Sequence, residues 1–251
     1  MCRELILSWQ DMKSREWFPV GRLSFSNNTY EFGYTNGAFN AEKVGFLGLA
    51  GMNDFFKSYK SENIFPVFQN RILNKSRPDR PDFLNWLDIN LESYSQFEEL
   101  ARTGGIKATD GLRLYPVPSA INGKYLVNFF AHGVSHLIES YKKRANNLFI
   151  GDKLYLCADL ENENDKNALI LRTQDPVEVV GYCPKFFAED FCQVFEASKK
   201  SFNINLVRVN IDAPEQLRLL CKLSCEWPNN FLPFNKPEFQ LIASHIEPTK
   251  E

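Results

Sequence analysis

The 251-residue chain predicts a β-rich α+β protein of two domains, and three observations carry that expectation. The first is composition: aromatic residues make up 14%, with 22 Phe, a bias toward side chains that fit a pleated, half-buried surface. The second is alternation: Leu154, Leu156 and Ala158 interleave with Lys153, Tyr155 and Cys157, the period of a half-buried strand. The third is the turn-rich junction Val117-Pro118-Ser119-Ala120-Ile121-Asn122-Gly123, which divides the chain into domains at 1–118 and 119–251. Hydrophobic content of 44% against 24% charged residues is ordinary globular composition and implies a packed core.

In the first half, Leu5–Trp9 is an opening strand, followed by a hairpin of Val20–Phe25 and Thr29–Tyr34 joined through Ser26-Asn27-Asn28. Tyr30, Phe32 and Tyr34 share one face of it. Gly45-x2-Gly48-x2-Gly51 is an irregular loop, because no βαβ unit or Walker Lys-Ser/Thr surrounds it. Phe65, Phe68 and Ile72 recur at helical spacing within 63–72, and Arg77-Pro78-Asp79-Arg80-Pro81 makes a polar loop. Ser95–Thr103 reads as a helix capped by Ser95 and stopped by Gly104-Gly105. Leu112–Tyr115 is a short strand.

In the second half, Lys124–Val134 is a strand running into His132-Gly133-Val134-Ser135-His136, and Ser140–Asn147 with Lys142-Lys143-Arg144 is a compact basic loop. Three adjacent cations can bind phosphates and steer a strand inward. Strands Lys153–Ala158, Ala168–Arg172 and Glu178–Tyr182 surround an Asn- and Asp-rich turn, whose residues bond their own backbone. That grouping suggests a barrel displaying an acidic, amide-rich loop. Phe187, Phe191 and Phe195 line one face of a helix, Phe202–Asn210 is a strand, and Pro214–Cys225 reads as a second helix with Leu217, Leu220, Cys221 and Ser224 along one side. Phe231, Phe234 and Phe239 mark an extended arm that packs back.

Net charge is −2 with acids and bases interspersed. A protein that coats phosphates is strongly basic, so nucleic-acid binding here has to come from a local site. No N-terminal apolar stretch has the length a signal peptide or membrane span needs, and six Cys without a dense framework read as reduced thiols. The expectation is a soluble, cytoplasmic protein with no membrane contact.

Catalytic patterns are weak. Cys221-x3-Cys225 and His132-x3-His136 each lack the second ligand pair of a zinc site. Asp159, Glu161 and Lys166 do not make a nuclease pattern, and ATP-binding motifs are absent. The expectation is a non-enzyme without cofactor or metal.

Asp159-x5-Asp165-Lys166-Asn167-Ala168, followed by Val180-Gly181-Tyr182 and Lys185, resembles the signature of the HIRAN domain over roughly 125–208. That resemblance implies an OB-like β-barrel with peripheral helices that grips the 3′-hydroxyl end of single-stranded DNA. Asp165 then accepts a hydrogen bond from the terminal hydroxyl and repels a continuing phosphate, with Asn162 and Asn164 in the same loop. Tyr182 and Lys185 fall on the positions that read base and phosphate. Ser135 and His136 stand where relatives place an Arg and a Tyr, and Asn164 where relatives often carry an aromatic. Beside this motif, Lys142, Lys143 and Arg144 are read from their charge alone as either further phosphate contacts or a solvated surface loop.

The first half resembles the N-terminal domain of HipA-type serine kinases. Val20-Gly21-Arg22-Leu23, Tyr30-x-Phe32-x-Tyr34, Phe65-Pro66-x-Phe68-x-Asn70-Arg71-Ile72, and Gly104-Gly105 leading to Gly111-Leu112-Arg113-Leu114 carry that likeness. It implies an α+β docking module without kinase chemistry. Together the resemblances imply a bacterial or phage DNA-end-binding adaptor whose first domain docks a kinase, nuclease or helix-turn-helix regulator, in repair, toxin–antitoxin or phage-defence settings. The alternative is a protein-interaction regulator, an antitoxin-like subunit of a HipA-type kinase with no DNA-end binding.

Overall fold

The computed structural model describes residues 4–107, 109–162 and 165–242. In chain order it begins β1 (Glu4–Gln10), β2 (Trp17–Ser26), β3 (Thr29–Tyr34), α1 (Gly37–Glu42) and β4 (Tyr59–Ser61). Then come α2 (Pro66–Gln69), α3 (Arg80–Trp86), α4 (Gln96–Thr103) and β5 (Leu112–Pro116). After the junction follow β6 (Ala120–Ile121), β7 (Lys124–Phe130), α5 (Glu139–Asn146), β8 (Lys153–Ala158) and β9 (Leu169–Arg172). The chain finishes with β10 (Val179–Tyr182), α6 (Ala188–Ala197), β11 (Asn203–Val209) and β12 (Leu219–Glu226).

Two compact units emerge. One draws on Met1–Arg77, Tyr94–Val117 and Leu232–Glu251, the other on Pro78–Ser93 and Pro118–Phe231. The change at 117/118 lies in the turn-rich junction, but neither unit is a single block of sequence.

The first unit is an antiparallel sheet of order β4-β3-β2-β1-β5. Its central hairpin turns through Asn27 and Asn28 at φ 49° and 59°, the paired left-handed conformation that matches the twist of a two-residue hairpin. Leu7, Val20, Leu23, Phe32, Phe68, Phe97 and Leu100 join one buried cluster. The helix expected over 63–72 shortens to the four residues of α2, still burying Phe68. In α4 the Ser95 hydroxyl accepts from the backbone N–H of Phe97 and Glu98, and Gly104 ends the helix at φ 67°. The terminal arm packs on this unit: Phe234, Phe239 and Ile242 are buried, and Thr35 bridges Leu241.

The second unit is an antiparallel sheet of order β10-β9-β8-β11-β12-β7-β6. Tyr125, Val127 and Phe129 of β7 alternate inward, and α6 covers them through Phe191, whose ring centroid lies 5.3 Å from Phe129. Phe195 of the same helix is 42% exposed, so the apolar stripe ends one turn early.

Four expectations fail here. Pro214–Cys225 is not a helix: after a 3-10 turn at Glu215–Leu217 the chain becomes β12, with Leu219, Cys221, Leu223 and Cys225 buried and Lys222 and Glu226 exposed. The segment is amphipathic at both periods, and the ladders from β11 and β7 on its two sides decide for the strand. Residues 140–146 are helical, not a loop. Arg80-Pro81 opens α3 instead of ending the polar loop, since proline is tolerated in the first turn. Finally, no closed barrel forms among the described residues. Between β8 and β11 just two residue pairs register, Ile204↔Leu154 and Asn205↔Lys153. An isolated bridge, His132↔Tyr182, connects the chain beyond β7 to the far edge strand.

Candidate nucleic-acid interface

The loop between β8 and β9 is closed at its base by the Asp159 N–H on the Ala168 carbonyl at 2.9 Å. Inside it, the Ala168 N–H donates to the Asp165 carbonyl at 3.0 Å and the Asn167 N–H to Asp165 Oδ1 at 3.1 Å. The Asp165 N–H in turn donates to Asn162 Oδ1 at 2.9 Å. These are the side-chain-to-backbone bonds by which Asn and Asp rigidify turns. Asp165 is half-buried, and among the described residues its second carboxylate oxygen carries no hydrogen bond. Asn164 lies outside the described residues.

Asp159 is the hub that sequence reasoning named in the motif but gave no role. Its Oδ2 accepts from Asn162 Nδ2 and from the Tyr182 hydroxyl, each at 3.0 Å. Partial burial first, and the Asp159 hydrogen bond second, push the Tyr182 phenol above its usual value, so it donates at neutral pH. Tyr182 is held from behind: its N–H and carbonyl exchange hydrogen bonds with His132 at 2.9 and 2.8 Å. Gly133, at φ 70°, approaches the ring closely: a Cβ there would stand 3.1 Å from Tyr182 Cδ2.

Tyr182, Asn162 and Asp165 therefore belong to one hydrogen-bonded chain through Asp159. Ser135 and His136 are exposed on a 3-10 turn just past the bridge, not on a strand. Their backbone placement is fixed by the His136 N–H on the Gly133 carbonyl at 3.0 Å. Lys185 is exposed at the start of the 3-10 turn after β10.

Among the described residues no hydrogen bond or ion pair joins the basic segment to this hydrogen-bonded chain. On α5 successive residues turn by about 100°, so Lys142, Lys143 and Arg144 fan out instead of forming one patch. Lys142 lies 3.9 Å from Glu215 and Arg144 3.5 Å from Glu178. Glu178 is four residues before Tyr182 on the β10 path, about 13 Å at strand rise. Lys143 is exposed on the outer side.

The two candidate pairs lie on different elements: His132 sits at the bridge and His136 on its 3-10 turn, while Cys221 and Cys225 are on the inner face of β12. Among the described residues no group of three or more His, Cys, Asp or Glu could hold a metal ion, and no helix is long and apolar enough to cross a membrane.

Comparison with family models agrees with the domain expected in the second half of the chain. The crystal structure of the HIRAN domain of human HLTF is 16% identical and aligns with 43% of this chain and 83% of its own, at a TM-score of 0.30. No curated protein matches the sequence. The family model described as the HIRAN domain matches residues 124–228, and that stretch of the chain therefore carries a HIRAN domain, a fold consistent with nucleic-acid binding.

Proposed function

We propose that this protein binds the 3′-hydroxyl end of single-stranded DNA in the loop between β8 and β9, without chemistry of its own. One observation carries the reading: the Asp165 carboxylate is fixed to its turn through one oxygen, and among the described residues the other is uncommitted. An ionised carboxylate so held accepts a hydrogen bond from a terminal hydroxyl and repels a phosphate in the same place. Tyr182, wedged by Gly133 and tied to Asp159, stands as the wall of the site, and exposed Lys185 is the phosphate contact.

Titrating labelled oligonucleotides that end in 3′-hydroxyl or 3′-phosphate tests this. A hydrogen bond to a charged group contributes about 1.5–3 kcal/mol, so the hydroxyl form binds at least about tenfold tighter. Asp165→Ala abolishes the preference. Equal or absent binding supports the second reading, a protein-interaction regulator, which is favoured by one feature: Lys142 and Arg144 are engaged with Glu215 and Glu178. In either reading the first unit docks a protein partner, a kinase, nuclease or helix-turn-helix regulator, as its HipA-like motifs imply. A neighbouring kinase gene that lacks this module, with a product that co-elutes with the chain, is the expected finding.

A further inference from the structure

The outward face of β8, β9 and β10 continues from the loop in a definite register. Cys157 pairs with Ile170 and Ile170 with Tyr182; one step further, Tyr155 pairs with Arg172. Directly paired residues of antiparallel strands share a face, as do residues two apart along one strand. Lys153, Tyr155, Cys157, Ile170, Arg172 and Tyr182 are thus coplanar neighbours. All are exposed or half-buried, while Leu154, Leu171 and Val180 point into the core.

At the far end of this face Lys153 Nζ and the Arg172 guanidinium carbon each lie 5.2 Å from the Tyr155 ring centroid. The Tyr155 hydroxyl is anchored to Gln174 Oε1 at 2.5 Å, and Arg172 Nη1 donates to the Thr173 carbonyl at 3.0 Å. The ring and the guanidinium are therefore pre-positioned. Unlike Lys142 and Arg144, neither cation has a carboxylate within ion-pair distance among the described residues. Two cations beside one aromatic ring, uncompensated and on an exposed sheet, form the combination that tracks a phosphate backbone and stacks a base.

We infer that the Lys153–Tyr155–Arg172 cluster is a second nucleic-acid contact, taking the nucleotides upstream of a strand whose 3′ end sits in the Asp165 loop. This rests on the end-binding reading above. From Asp159 to Lys153 the face runs about 20 Å at strand rise, which sets a site of roughly four nucleotides, the small end of the range for such domains. Cys157 and Ile170 form the uncharged step between the two contacts.

The test is fluorescence anisotropy with 3′-hydroxyl DNA of two, four and six nucleotides, on the full chain and on Lys153→Gln/Arg172→Gln, with Tyr155→Leu as a second variant that keeps the strand apolar. For the unaltered chain, affinity rises about tenfold from two to four nucleotides and then levels. In both variants the dinucleotide binds as before and the gain with length disappears. In the double variant the salt slope also falls by about 1.4, the value for two lost phosphate contacts on a single strand. Thermal melting checks that both variants are folded. A length dependence and salt slope unchanged in the variants overturn this inference and leave the end-binding reading intact. No binding of any oligonucleotide by the unaltered chain overturns both.

Discussion

At the scale of single residues, the Asp159 carboxylate collects the phenol of Tyr182 and the amide of Asn162 on one oxygen, so each donor's removal is read by the other. Tyr182→Phe deletes one hydrogen bond and leaves the ring's packing against Gly133 in place. The expected cost is about 1 kcal/mol of stability, seen as a lower urea midpoint with unchanged slope; no shift would mean that the bond does not form in solution. This network was partly legible beforehand. Asp165, Asn162 and Tyr182 stood out because their loop is polar and their spacing matched a known signature. The function of Asp159 was hidden, since its two donors come from a loop and from a different strand.

At the scale of elements, α1 packs across β2 through Gly37, where a Cβ would lie 2.1 Å from the Pro19 carbonyl oxygen and 3.1 Å from that of Glu238. Both are backbone atoms and cannot rotate away. Gly37→Ala is expected to destabilise by about 2 kcal/mol through overpacking, lowering the melting temperature by about 4–8 °C. A melting curve that overlays the original would refute the close approach. The Ser95 cap was readable from local sequence, because a hydroxyl reaching N–H groups two and three residues on is a local event. By contrast β12 was not, because its neighbours β11 and β7 are distant in sequence and supply the ladders that select the strand period. The helical form of the basic segment in α5 was not legible for a related reason. Helical rotation separates cations that are adjacent in the chain, and their carboxylate partners come from Glu178 and Glu215.

At the scale of the whole molecule, the buried phenols and thiols determine the response to alkali. Burial raises Tyr34 to about 12 and Cys225 to about 11, and pushes Tyr125, Cys183 and Cys221 upward as well. Between the ordinary and the raised values the unfolded chain has released these protons and the folded chain has not. The native state then binds more protons, and stability falls as pH rises. The stabilisation is complete below about pH 8 and is lost progressively through the range from about 9 to 12. Urea midpoints measured from pH 7.5 to 10.5 are expected to be level at first and then to decline; a midpoint that rises with pH would contradict the burial of these groups.

By itself the sequence determined the β-rich class, the capped helix α4, the central hairpin of the first unit and the polar loop carrying Asp165. All of these follow from local periodicity, capping and turn chemistry acting over a few residues. Only the tertiary structure decided that β12 is a strand, that the described strands of the seven-stranded sheet stay open, that Arg144 and Lys142 pair with Glu178 and Glu215, and that Tyr155 and Arg172 share one face. Those outcomes depend on cross-strand register and on partners dozens of residues apart, which no window of local sequence contains.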